Sequence, residues 1–341
     1  MVLGLSRQSQ TRLSVGLVFF GVFFGSGALA KAACTGLTPC FDASSLWLPP
    51  GHAEFLSLPD TVIAAPGEPS FGFATDLMRA PVTAHVSSPD AGGRDVHVVD
   101  YAQDVELSAS IAVLTRFELS ATLPVRLYQT GAGAGGLTSQ SSSSVASAAL
   151  RDARLGVAYS FDDLMRVPGF GARAGLEASF PLGDEDAFAG ERSVVLEPNA
   201  TLSYRFERFA ARAELGARVR QASDYGDVRL GNQGVIALGA GVDVLSRGLL
   251  FLSLEAFALP PLASNRATAA NPAVTSERWL PAEWLLAVSS TLRPHGEWQL
   301  SGSFGTGLPL SNETRAGVSN DFLGLTTPTW RSILSLRFSP R

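Results

Sequence analysis

Three features of the sequence together predict an all-β fold: a single antiparallel up-and-down β-barrel that spans a membrane. Segments of ten or more residues alternate apolar and polar side chains at period two. The connections between those segments alternate short and long. An apolar leader at the N-terminus marks the chain for export. The expected transmembrane barrel has about twelve strands over residues 69–338, preceded by a cleaved signal peptide over 1–30 and a short irregular segment over 31–68.

Arg7 and Arg12 form the basic start of the leader, Val15 to Ala30 its apolar core, and Ala28-Leu29-Ala30 or Ala30-Lys31-Ala32 its small-x-small cleavage site. The apolar run falls short of the ~20 residues that a spanning helix needs. Across the 341 residues the charged fraction is only 17%, against about 25% in an average soluble protein. The net charge is −5 and no Lys/Arg run occurs, which argues against a nucleic-acid partner. The two cysteines, Cys34 and Cys40, follow the cleavage region and read as a local disulfide in an exported protein.

The period-two pattern is clearest over 193–206, where Val194, Leu196, Pro198, Ala200, Leu202, Tyr204 and Phe206 share one face. The pattern repeats over 209–221, and Glu207-Arg208 alone separates the two as a tight hairpin. Extended along the chain, it predicts strands at 69–80, 95–113, 116–128, 150–161, 170–182, 193–206, 209–222, 233–245, 249–259, 281–293, 298–309 and 329–338. Longer connections fall at 81–94, 129–149, 183–192, 223–232, 260–280 and 310–328, as expected for surface loops opposite short periplasmic turns.

Alternation alone does not say which face points outward; the distribution of aromatics favours lipid on the apolar side, and the charges fit that reading as well as a solvated outer face. Phe117, Phe161, Phe170, Phe206, Phe209, Trp298 and Phe338 sit toward the short-turn end of the apolar face, and Phe180, Trp284 and Trp330 toward the long-loop end, as two interfacial girdles. The opposite face carries Asp104, Glu106, Glu118, Arg126, Arg154, Arg173, Glu177, Glu197, Arg205, Arg212, Glu214, Arg218, Arg220, Glu283 and Arg293. In a lumen these charges pair or stay hydrated, whereas an Arg at the lipid midplane costs roughly 2–4 kcal/mol. They are candidates either for solute selectivity or for a structural salt-bridge network. The last strand alternates Trp330, Ser332, Leu334, Leu336 and Phe338 with Arg331, Ile333, Ser335 and Arg337. It resembles the C-terminal assembly signal of outer-membrane proteins, although Ser339, Pro340 and Arg341 follow the aromatic residue.

Segments such as 117–125, 153–159 and 176–184 resemble barrel proteins of deltaproteobacterial, especially myxobacterial, outer membranes. Several of those place the barrel ahead of a peptidoglycan-binding domain of the OmpA type, for which the reading leaves no room here. The same segments look loosely like the transporter barrels associated with aromatic degradation. The resemblance implies an outer-membrane location in a Gram-negative bacterium. It also implies contact with outer-membrane lipid and lipopolysaccharide, and help from the barrel-assembly machinery during biogenesis.

The function expected from this reading is passive passage of small solutes. A surface barrel that binds a partner through its long loops is the alternative. The remote alternative, a hydrolase, rests on His85 and Ser87 at i, i+2; no catalytic set, metal site or cofactor is assigned. Gly131 to Gly136 lacks the helix and lysine of a phosphate loop and reads as a surface loop. The irregular 41–68 segment, with Trp47, Pro49, Pro50, Phe55 and Pro59, lies either in the periplasm or in the lumen as a plug.

Overall fold

The computed structural model describes residues 39–51, 54–86, 94–133, 144–161, 167–225, 228–245, 249–262, 280–292, 298–310 and 327–340. The leader, Cys34, Ser87 and Arg293 lie outside them. The barrel strands are β1 (Pro69–Val86), β2 (Arg94–Leu114), β3 (Phe117–Thr130), β4 (Ala149–Leu150 and Ala153–Ser160), β5 (Phe170–Phe180) and β6 (Val195–Phe206). They continue with β7 (Phe209–Arg218), β8 (Gln233–Leu245), β9 (Leu250–Ala258), β10 (Ala282–Leu292), β11 (Trp298–Pro309) and β12 (Trp330–Pro340). Each pairs antiparallel with its chain neighbours. β1 also pairs with β12, from Phe71 opposite Phe338 to Arg79 opposite Trp330. The twelve strands therefore close into a ring in which each is laddered to a neighbour on both sides.

The β6–β7 hairpin turns through Glu207 and Arg208, with Phe206 opposite Phe209. Glu207 takes a left-handed φ of 52°, as a two-residue hairpin of this hand requires. Three strands depart from the sequence reading. β1 continues past residue 80 to Val86, because Ala80 (φ 46°) and Pro81 form a bulge that absorbs the missing proline donor while pairing resumes at Val82. β4 is interrupted at Arg151 and Asp152. Asp152 accepts hydrogen bonds from the Gly183 and Glu191 amides at 2.7 and 2.6 Å, which ties the strand end to the following loop. β7 ends at Arg218, after which the Arg220 amide donates to Asn232 Oδ1 at 3.0 Å.

The two faces are inverted relative to a water-soluble protein. Leu107, Leu202, Phe206, Phe209, Leu215, Leu238, Leu254, Leu286 and Phe304 are exposed on the outside. The largest fully buried side chains include Arg126, Arg331, Glu255 and Glu283, all inside the barrel. Such a surface is stable against hydrocarbon and not against water.

Residues 39–68 form no strand or helix among their described residues. Asp42 bridges to Ala189, in the connection between β5 and β6 at the long-loop end. Leu56 and Ser57 reach Glu255 in the middle of β9, and Thr61 reaches Ser203 near the short-turn end of β6. The segment therefore passes down the inside of the barrel before the chain enters β1. Replacing the outward, mid-strand Leu254 by Arg should lower folding stability in lipid vesicles by roughly 2–4 kcal/mol. Denaturant titration in vesicles reads this directly, and an Arg tolerated at no cost would mean that this face meets water.

Candidate functional site

The candidate site is the lumen, whose two walls differ. The inner face of β8 to β12 carries an apolar patch: Val235, Ala237, Phe251, Phe257, Leu285, Ala287 and Ile333 cluster with Leu46, Leu48, Phe55, Leu56 and Leu58 of the inner segment. Glycines shape this wall. A Cβ at Gly239 would lie 2.6 Å from Leu58 and 2.8 Å from Phe55, and one at Gly305 2.5 Å from Leu56. Their missing side chains are the sockets into which the segment fits. Phe55 also meets Phe251 edge-on, with centroids 5.2 Å apart.

The inner segment has no ladder of its own, so its backbone groups find side-chain partners. Glu255 accepts from the Leu56 and Ser57 amides at 2.8 and 2.7 Å and from Ser57 Oγ at 2.6 Å. Arg337 donates to the carbonyls of Pro49, Phe55 and Leu56, each at 3.4 Å. Arg212 donates to the Leu58 carbonyl, Arg173 to that of Asp60 and Arg218 to that of Ser45.

The inner face of β2 to β7 is charged. Arg126 binds Asp104 through two nitrogens at 2.7 and 3.0 Å and also donates to the Phe188 carbonyl. Arg151 joins Asp42 to Asp104 at 2.8 and 3.0 Å. Arg154 pairs with Glu106 and Glu177 at 2.5 and 3.1 Å, Arg173 with Glu118 at 3.0 Å, and Arg218 with Glu197 at 2.7 Å. The Arg154 and Arg218 guanidiniums lie over the Trp47 ring, 5.0 and 4.1 Å from its centroid. Arg212 pairs with Asp60 at 3.1 Å. Arg205 pairs with Asp243 and Glu54 at the short-turn end. On the opposite side Arg331 holds Glu283 through two nitrogens, at 2.8 and 3.1 Å, and also binds Asp76.

Arg220 lies beyond β7 at the long-loop mouth, bound to Glu191 and Gln233. Burial raises the Glu191 carboxyl above the usual carboxylate range, against the opposing pull of Arg220. The mouth itself is covered by an apolar cluster in which Phe41 of the inner segment meets Phe188 edge-on at 5.3 Å, with Met78, Val82, Val98 and Leu230 around them. Cys40, just before this cluster, is disulfide-bonded.

Between the inner segment and the charged wall lies a small hollow of about 70 Å³, lined by Trp47, Pro59, Arg173, Glu177, Glu197 and Glu214 among others. Gly156 and Gly175 line it from β4 and β5. Among the described residues no group of three or more His, Cys, Asp or Glu is placed to hold a metal ion.

The candidate interface aromatics lie near the strand ends. Phe117, Tyr159 and Phe161 form a chain of edge contacts, and Trp298 stacks on Phe338 with centroids 4.5 Å apart. Phe206, Phe209 and Trp330 are exposed, while Phe170, Phe180 and Trp284 are half-buried. The sequence reading assigned no site role to Asp42, Asp76, Arg151, Glu255, Arg331 or Arg337. The alternation of β12 already placed Arg331 and Arg337 opposite its aromatics, a signal that both face inward.

Replacing Arg331 by Met strands Asp76 and Glu283 in the interior and should destabilise the barrel by about 3–5 kcal/mol. Replacing Arg331, Asp76 and Glu283 together by apolar residues should restore most of that loss. Denaturant midpoints of the single and triple variants test both statements.

No protein-family model matches the chain, and no curated protein matches it. Among solved structures the fold is similar to that of an outer membrane channel from Pseudomonas putida F1, with a TM-score of 0.52 at 12% identity over 82% of this chain and 97% of that one. The NanC porin aligns with a TM-score of 0.40 at 10% identity over 78% and 99% of the two chains. A FadL homologue from Pseudomonas aeruginosa aligns with a TM-score of 0.40 at 8% identity over 80% and 90%. The chain is thus a closed twelve-stranded β-barrel with an apolar exterior and a charged interior, of the fold seen in an outer membrane channel.

Proposed function

We propose that the protein is a passive channel for small solutes, narrowed by its own N-terminal segment. The observation that carries this reading is the seating of that segment against the apolar wall, with unfilled space along the charged wall opposite. A twelve-stranded barrel lies between the eight-stranded kind, which side chains fill, and the sixteen-stranded kind, which leaves an aqueous channel. Here a piece of the chain occupies the extra width. A purely structural barrel would have no need of a polar hollow beside such a plug. The likeness to transporter barrels supports the same class without naming a solute. The covered mouth implies that solutes pass when the cluster around Phe41 and Phe188 opens.

Purified protein in planar bilayers should show small single-channel conductance. Deleting residues 45–58, or evicting the segment by Gly239→Leu, should raise conductance several-fold while heat-modifiable gel mobility is retained. Heat-modifiable barrels that carry no current in all three forms would overturn the channel reading.

A further inference from the structure

We propose that the hollow around Glu214 binds small organic cations, an ammonium group carried on a short hydrocarbon body. The proposal deepens the channel reading by giving its solute a charge and a shape, and it rests on that reading for the route by which the cation arrives.

Glu214 is only 6% exposed and lines the hollow. Its neighbours Glu177 and Glu197 stand opposite each other in the β5–β6 register, and each is met by an arginine. Glu214 has no hydrogen-bond or ion-pair partner among the described residues. Directly across the β6–β7 ladder stands Thr201, fully buried, whose hydroxyl is also without a hydrogen-bond partner. Nearby arginines hydrogen-bond to other groups: Arg173 to Glu118 and the Asp60 carbonyl, Arg212 to Asp60 and the Leu58 carbonyl with its Nε unpartnered, Arg218 to Glu197 and the Ser45 carbonyl.

The charged side chains lining the hollow are three carboxylates against two guanidiniums, so its field favours a cation. The shape of the hollow then selects among cations. No group of three or more acidic or imidazole side chains converges to hold a metal ion among the described residues. The far wall is hydrocarbon: Leu46, Val235, Phe257 and Leu259. One carboxylate without an ion-pair partner, facing an apolar wall, matches an alkylammonium.

The test uses n-butylammonium as probe and n-butanol as its neutral counterpart. Calorimetric titration of the full chain in detergent should give saturable butylammonium binding and none for butanol. Glu214→Gln should weaken binding roughly tenfold or more, while Glu214→Asp should stay close to wild type. Butylammonium should also reduce the bilayer current of wild type and leave that of Glu214→Gln unchanged. Current with no butylammonium binding by wild type would overturn the cation site and leave the channel reading standing. Glu214-dependent binding in a barrel that carries no current would do the reverse. Equal binding by wild type and a heat-modifiable Glu214→Gln barrel would also overturn the site, and the wild-type titration decides the matter should that variant fail to fold.

Discussion

A peptide group in hydrocarbon has no water to fall back on, and the rest of this structure follows from that constraint. It forces Pro69–Val86 to pair with Trp330–Pro340, because any open edge would leave a row of donors and acceptors unmatched. Closure divides the side chains into two populations. Those pointing out meet lipid and are Leu, Phe and Val; those pointing in are shielded from lipid and include Arg126, Arg331 and Glu283.

The same constraint governs the inner segment. Its backbone is irregular at membrane depth, which is tolerated only where protein or water supplies the missing hydrogen bonds. Glu255 and Arg337 supply them from one side, and Arg173, Arg212 and Arg218 from the other. Side-chain burial supplies the attraction. Phe55, Leu56 and Leu58 are fully buried, each contributing roughly 1.5–3 kcal/mol if the segment would otherwise meet water. The segment is thus held by sockets at Gly239 and Gly305 and by charged side chains that accept or donate to its backbone.

The barrel was legible in the sequence because period-two alternation is imposed residue by residue, and the turn at Glu207-Arg208 is fixed by two residues. The ends of β1 and β4 were less so. Pro81 reads as a stop, and only the partner strand shows that a bulge carries the ladder past it. The seat of the inner segment had a trace that went unread. Val235-Ile236-Ala237-Leu238 and Leu285-Leu286-Ala287-Val288 are apolar on both faces, as strands buried on both sides are. In a barrel exposed to lipid outside, such runs require an apolar occupant within. Phe251 and Phe257, sharing parity with Glu255, have the same cause: Phe251 meets Phe55, and Glu255 holds the amides beside it. Pairs such as Arg331–Asp76 and Arg173–Glu118 were not legible, because they join strands that are not consecutive in the chain.

The occupant also bears on the charge of the hollow. Arg173 and Arg218 pair with Glu118 and Glu197 of their own wall, and Arg212 with Asp60 of the segment. Each also donates to a segment carbonyl. Holding irregular backbone inside the barrel thus draws donors of these guanidiniums toward the segment, while Glu214, without an ion-pair partner, lines the hollow. A plug seated by arginines on one side and a hollow of negative character on the other are two consequences of one arrangement. Loosening the segment would therefore free donors on Arg173 and Arg218, which line the hollow together with Glu214, and would shift its charge along with its width.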